Sequence, residues 1–492
     1  MIPLHSSLLS TIEAANRLLS QHRYGTPEHE RGYALIQDVA NSPQGAWAQW
    51  LLGAYHLQVI HRQGSQANAL HWLQKAAAAG IAPAVERLAD MALHGIAMPF
   101  APARAMEWLH GLAEHGHAPS AWQCAYLSDI YGAAIEASDH RDRSAAATAP
   151  ATLLLRACAL GFGPAYYSLG LRFATGQGVP RDAVLGRALL LRASDAGFRD
   201  AREAAEEFAP DHVDAAESIR AALKINLSDA QPLLAAIGRA EAAFDGPIHP
   251  MLPKLESHLV AVGHPAFFVD AYGRGCVRDA SVAGSVVAPV WSWTSGQPKV
   301  GIAAGFASRE ESAWLINKVA ASMLRPQDIV RYNSANTDSE REQFSGYVGP
   351  LKMLDTDAVM RVLQRRIVDA LGWGASEMEP SSIISYGRGD EYQPHCDFFT
   401  EAQIALNRQY SGDLGGQRIA TFLLYLRAPE RGGETEYPHA GLVVRGERGM
   451  AVVHYNIVDG KPDITSLHAG RPVLQGEKWL WRSTLREHPM YG

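Results

Sequence analysis

Cysteine is scarce in this chain: Cys124, Cys158, Cys276 and Cys396 are the four among 492 residues, and their spacing suggests no pairing. That argues against a disulfide framework and leads to the expectation of reduced thiols in a cytoplasmic setting. Long apolar runs are missing as well. The longest uncharged stretch, Ala280 to Pro298, is broken by Gly, Pro and Ser, so no membrane span is expected. The start, Met1-Ile2-Pro3-Leu4-His5, lacks a basic segment leading into an apolar one, and no signal peptide is expected. Positive charge is in deficit. A formal charge of −7 argues against nucleic acid or an anionic membrane as a generic partner. With 47% hydrophobic and 19% charged residues, the chain has enough apolar content for more than one core, and its length predicts two or three domains.

The first two hundred residues are rich in Ala, Leu and Gly and read as consecutive amphipathic helices. They carry a period. Trp72-Leu73 leads to Ala78-Ala79-Gly80, and 36 residues on Trp108-Leu109 leads to Glu114-His115-Gly116. The same ending recurs at Ala159-Leu160-Gly161 and, again 36 residues later, at Asp195-Ala196-Gly197. Each Gly suits a left-handed helix C-cap. The longer gap between the second and third units matches a polar insertion from Ala137 to Ala149. Segments such as Ala165-Tyr166-Tyr167-Ser168-Leu169-Gly170 and Gly176-Gln177-Gly178-Val179-Pro180 resemble Sel-one-like repeats, cousins of the tetratricopeptide repeat. That class packs helix pairs into a superhelix with a concave face. Such repeats need bind nothing, since Trp and Leu at helical spacing also serve as inter-repeat core. By analogy of fold, a protein-docking role is expected.

The far end of the chain carries chemistry. His395-Cys396-Asp397 is followed by His468 and, ten residues later, by Lys478. Iron(II) in an oxygenase takes two imidazoles and one carboxylate on one face and leaves the other face open. On a strand, residues 395 and 397 would point to one side and Cys396 to the other, into core. A lone His-x-Asp is weak evidence, but here it has company. Ser385-Tyr386-Gly387-Arg388-Gly389-Asp390-Glu391-Tyr392-Gln393-Pro394 runs into it. Gly415 to Leu426 reads as a strand, and Gly432-Gly433-Glu434-Thr435-Glu436-Tyr437-Pro438 as a turn opening another. Ser466 to Val473 and Gly476-Glu477-Lys478-Trp479 complete the set.

From about Ile302 to Pro489 these motifs, in this order, resemble the catalytic domain of the prolyl 4-hydroxylase family of iron/2-oxoglutarate dioxygenases. The resemblance implies a double-stranded β-helix (jelly roll) with bracing helices. It implies His395, Asp397 and His468 as Fe(II) ligands and Lys478 as the partner of the far carboxylate of 2-oxoglutarate. Tyr386 and Thr435 match hydroxyl groups that help hold that cosubstrate, and Tyr392 matches a tyrosine at the mouth of the site. The implied reaction hydroxylates a substrate with O2, most simply a prolyl residue of a protein or peptide, releasing succinate and CO2, with ascorbate as reductant. Two departures stand out. Thr484 replaces the aromatic residue usual six positions after the lysine, with Trp481 nearby, and Arg341-Glu342-Gln343-Phe344-Ser345 lacks the Arg-x-Ser pattern common in the substrate channel.

His454, on the apolar run Met450 to Tyr455, is a rival third ligand, but no lysine lies ten residues beyond it; it reads better as a core or wall residue. His439, after a Pro in a turn, reads as solvated. Arg471 and Arg482 are the substitutes if Lys478 does not hold the carboxylate. The expected layout is an all-α repeat solenoid over 30–204, a helical linker with accessory strands over 205–298, and the dioxygenase over 299–492. Within the linker, 211–244 reads as helix, 246–253 as a Pro/Gly hinge and 255–298 as strands. A cap at Ser308 predicts a helix carrying Trp314, and a second is expected from Asp355 to Leu371. Other readings remain: the same chemistry on a small molecule or non-prolyl residue, or an adaptor in which the solenoid carries the function.

Overall fold

The computed structural model describes residues 6–208, 289–324, 344–405 and 415–490, apart from 23–24, 60–61, 63, 137–149, 180, 295 and 352. The expected helix at 211–244, the hinge and most of the accessory strands lie outside the described residues. So do Cys276, the whole 137–149 insertion and the Arg341 segment up to Gln343.

Helices fill the first half: α1 (Ser6–Gln21), α2 (Pro27–Ala40), α3 (Ala46–Gln58), α4 (Ser65–Ala78), α5 (Ala82–His94), α6 (Pro102–Glu114), α7 (Ala118–Glu136), α8 (Pro150–Ala159), α9 (Gly163–Thr175), α10 (Ala183–Asp195) and α11 (Ala201–Glu207). Helix therefore begins upstream of residue 30, at Ser6. The four periodic glycines are its punctuation. Gly80, Gly116, Gly161 and Gly197 have φ between 78° and 85°, the left-handed conformation that a helix exit uses and that a Cβ would strain.

The second half is antiparallel sheet. Seven strands form the larger layer in the order β1 (Ser292–Trp293), β2 (Val300–Ala303), β10 (Ala451–Tyr455), β6 (Arg418–Arg427), β15 (Lys478–Arg486), β4 (Ser382–Tyr386) and β3 (Tyr347–Pro350). The smaller layer is β5 (Tyr392–His395), β13 (His468–Gly470), β8 (Thr435–Tyr437) and β9 (Leu442–Val444). Short ribbons β7 (Arg431–Gly432) with β14 (Val473–Gln475) and β11 (Ile457–Val458) with β12 (Lys461–Pro462) complete this jelly roll. Strand alternation divides the larger sheet into two faces. Ile384, Leu423, Tyr425, Val452 and Leu480 face the smaller sheet, and Ile383, Phe422, Leu424, Val453 and Trp481 face outward.

Two helices cover that outer face. In α12 (Arg309–Val319) a capping box at Ser308 and Glu311 satisfies the first-turn donors reciprocally. The second, α13 (Ala358–Leu371), is capped by Asp357, and Gly372 at φ 74° ends it. Both also pack on the repeats. One hydrophobic core runs from Leu127, Leu154 and Leu169 through Leu315 and Leu363 to Phe422 and Trp481. Trp122 of α7 stacks on Trp314 of α12 with ring centroids 4.0 Å apart.

Buried charge is paired across the same boundary. Arg361 of α13 grips Asp90 of α5 through two bonds of 2.7 and 2.9 Å. Tyr126 of α7 donates to Glu311 at 2.6 Å, and Glu311 also receives Arg366. Ser168 of α9 donates to Glu310. Arg427 and Arg448 of the jelly roll pair with Asp200, at the N-cap of α11, and with Glu203 in its first turn. The repeats are therefore not a tethered arm: one of their faces is filled by the helices that brace the jelly roll.

Candidate active site

The smaller sheet sets the histidines opposite each other. In the antiparallel register of β5 with β13, His395 pairs with His468. Asp397 lies just beyond β5, since the strand ends at His395. The strand placement expected for Asp397 is thus corrected: pairing with β13 stops at His395, and the chain turns toward the larger sheet, where Thr421 of β6 donates to Asp397 Oδ2 at 2.7 Å. One ligand atom from each of His395, Asp397 and His468 lies within 4.8 Å of the others. Cys396 is half-buried rather than core.

Hydrogen bonds fix the tautomers. His395 Nδ1 faces the Gln393 carbonyl at 2.9 Å and His468 Nδ1 faces the Ser466 carbonyl at 3.0 Å. A carbonyl only accepts, so each Nδ1 carries the proton and each Nε2 presents a lone pair. Those Nε2 atoms stand 3.8 and 3.6 Å from the Asp397 carboxylate. Burial holds the pKa of both histidines down, most strongly for His468, where His395 and His454 add to it. Burial alone would raise Asp397, but the surrounding imidazoles outweigh it and hold its carboxyl well below the usual range. Two neutral imidazoles and one carboxylate are the result.

His454 is the wall residue that its apolar run suggests; what sequence reasoning missed is how it and its neighbours support Asp397. His454, fully buried on β10, takes Tyr437 at its Nδ1 (3.0 Å) and sets its unsatisfied Nε2 3.4 Å from Asp397 Oδ2. It forms the wall behind the carboxylate. Asn456 donates to Thr421 at 3.1 Å, tying the carboxylate's donor to β10's end. The signal for these groups is cross-strand register, His454 opposite Thr421, which only the folded sheet supplies. His439 lies exposed in a 3₁₀ turn.

Lys478, at the start of β15, is 2% exposed. Its Nζ stands 3.5 Å from Thr435 Oγ1 and over the rings of Tyr386 (5.4 Å) and Tyr425 (5.2 Å). Tyr425 in turn bonds Thr435 at 2.6 Å. No carboxylate among the described residues lies within 4.0 Å of Lys478. Burial pulls its pKa down to about 7, with Glu434 opposing. Tyr392 stacks on His395 with centroids 3.6 Å apart. Arg471 is tied to Glu436 on the surface, away from this group. Tyr386, Tyr392, His395, Asp397, Thr435, His468 and Lys478 all line one pocket of about 390 Å³ that opens to solvent.

This arrangement fits the groups that the motifs imply. The triad is the donor set of an Fe(II) oxygenase. A buried lysine without a counter-charge is costly, and a carboxylate from a bound molecule would relieve that cost.

Comparison with known proteins agrees. Residues 381–483 match the family model of the 2OG-Fe(II) oxygenase superfamily, and residues 48–81, 82–117 and 163–198 match the Sel1 repeat. Over 210 residues the chain is 29% identical to Probable prolyl 4-hydroxylase 3 of Arabidopsis thaliana, covering 38% of this chain and 70% of that protein. It is 36% identical over 132 residues to Prolyl 4-hydroxylase subunit alpha-1 of Rattus norvegicus, covering 27% and 24% respectively. A viral collagen prolyl hydroxylase from Paramecium Bursaria Chlorella virus-1, solved with 2OG, aligns at 21% identity and a TM-score of 0.30 over 38% of this chain and 95% of that one. The two family models and the prolyl 4-hydroxylase relatives support a prolyl 4-hydroxylase-like 2-oxoglutarate/Fe(II) oxygenase domain joined to Sel1 repeats.

Proposed function

We propose that this enzyme hydroxylates a prolyl residue of a protein or peptide, with the catalytic groups in 299–492. His395, Asp397 and His468 hold the iron. Lys478, with Thr435 and Tyr386, holds the far carboxylate of 2-oxoglutarate, and Tyr392 lines the entrance beside His395. The observation that carries the reading is Lys478: a buried cation with no carboxylate of the described residues within 4.0 Å, in one pocket with an imidazole–imidazole–carboxylate triad.

Iron(II) and 2-oxoglutarate, when bound, supply the oxidation, placing one oxygen atom of O2 in succinate and the other in the substrate. The chain's part is to bind, orient and shield. Gln393 and Ser466 carbonyls aim the two Nε2 lone pairs, and Thr421 holds Asp397 Oδ2. Tyr425 keeps the Thr435 hydroxyl beside Lys478. Leu423 and Leu480 close the pocket's apolar wall against water.

The repeats belong to this reading in two ways. One face holds the bracing helices, and the remaining surface is assigned to a protein substrate, as befits a Sel1 array. Ascorbate as reductant and a cytoplasmic setting complete it; free Cys124, Cys158 and Cys396 suit a reducing compartment. Among the described residues no helix is long and apolar enough to cross a membrane. The test is succinate release from 2-oxoglutarate by the full chain with Fe(II) and ascorbate. Proline-containing peptides should stimulate it, and the same peptides with alanine should not. Equal release with both would overturn the prolyl assignment, and no Fe(II)-dependent release would overturn the site.

A further inference from the structure

One cation in the pocket has no task in this reaction. Arg482 lies on β15 four residues past Lys478, with Leu480 between, and strand alternation turns all three inward. Trp479 and Trp481, in the intervening positions, pack in the outer core. Arg482 thus lines the pocket beside His395 and Asp397.

The carboxylates near it are taken. Asp397 is held by Thr421 and ringed by imidazoles. Glu379 receives Arg418 at 2.9 and 3.0 Å and Arg486 at 2.7 Å. Among the described residues no carboxylate lies within 4.0 Å of the Arg482 guanidinium, because Arg418 and Arg486 already share Glu379. A half-buried guanidinium offers a planar fork of donors that matches a carboxylate.

We propose that Arg482 forms a second carboxylate subsite, at the triad end of the pocket and separate from Lys478. The inference rests on the site reading above. Lys478 pairs across the sheet with Tyr386 and Arg482 with Ser382, so their Cα atoms stand about 13 Å apart along the strand. Two cations at that spacing serve two carboxylates rather than one. The second carboxylate comes from the keto end of the cosubstrate or from an acidic group of the substrate; both present the same chemistry to the guanidinium.

The test is calorimetric titration of the full-length, Mn(II)-loaded chain with 2-oxoglutarate and with oxalate, which has no distal carboxylate. If the keto-end carboxylate sits at Arg482, Arg482→Gln weakens both ligands by about tenfold or more. Lys478→Gln then weakens 2-oxoglutarate and spares oxalate. If the substrate supplies the carboxylate, Arg482→Gln instead erases a wild-type preference for proline peptides flanked by Glu over those flanked by Gln, read as succinate release. Arg482→Lys keeps the charge and restores part of either effect, which separates a lost contact from a lost fold. Unchanged affinities together with an unchanged or absent preference for acidic peptides overturn the subsite. A wild-type chain that does not bind 2-oxoglutarate overturns the site assignment and the subsite with it.

Discussion

Arg361 of the jelly roll's bracing helix and Asp90 of the repeats form a two-bond ion pair, with both side chains 3% exposed or less. Burial would raise the Asp90 carboxyl, but Arg361 outweighs it and brings the pKa down to about 2. A pair in this position joins the two halves of the chain at the level of their shared core.

The first prediction follows from that pair. Asp90→Ala leaves Arg361 buried without its counter-charge, which costs about 3–5 kcal/mol. Thermal unfolding should shift down as one transition that takes jelly roll and repeats together. A fragment starting at Lys299 should be insoluble or unfolded, because it exposes Trp314, Arg361 and Glu311 at once. A soluble fragment with native-like melting would show that the oxygenase does not need the repeats.

A second prediction concerns the triad. Asp397→Ala should abolish Fe(II)-dependent turnover of 2-oxoglutarate while the far-ultraviolet dichroism stays native, since the carboxylate lies in a polar pocket rather than in the apolar core. Turnover at the wild-type rate would remove Asp397 from the ligand set.

Much of this site was legible in the sequence, and the reason is local. His395, His468, Lys478 and Thr435 sit in short segments whose glycines and spacing can be read along the chain, and the four periodic glycines announce the helix ends in the same way. What could not be read is set by pairing between distant strands and helices. His454 faces Asp397 because β10 lies beside β6, with His454 opposite Thr421. Asp90 and Arg361 are 271 positions apart, and each alone looks like a solvated charge on a helix face. Asp397 leaves its strand for the same reason: its partner, Thr421, is on the other sheet.

Lys478 gives a third prediction, with a definite sign. Its pKa is about 7 in the ligand-free pocket, against an ordinary value of 10.5. A bound carboxylate stabilises the charged form and raises that pKa, so binding above pH 7 takes up a proton. Affinity for 2-oxoglutarate should therefore hold below about pH 7 and fall above it, by up to about tenfold per pH unit. For the empty fold, burial of the charge costs stability below about pH 7, and that cost is relieved as pH rises toward 10.5. Lys478→Ala should raise the 2-oxoglutarate KM by an amount equivalent to roughly 3–5 kcal/mol and remove the pH dependence. An unchanged KM would pass the role to another cation.

The fourth prediction concerns His454, which supports the triad without joining it. Tyr437 meets its Nδ1, and its Nε2 stands 3.4 Å from the Asp397 oxygen that Thr421 also holds. A side chain so placed orients the carboxylate, and loss of such a partner typically lowers metal affinity about 10–100-fold. His454→Ala should therefore weaken Mn(II) binding by that order, measured by calorimetry on the full chain. A merely structural role would lower the melting temperature and leave the affinity of the folded fraction unchanged. His454→Gln separates the two cases, because an amide can still donate toward Asp397 and should recover much of the metal affinity even where it fails to recover stability. Equal Mn(II) affinity in wild type and His454→Ala would reduce His454 to core packing.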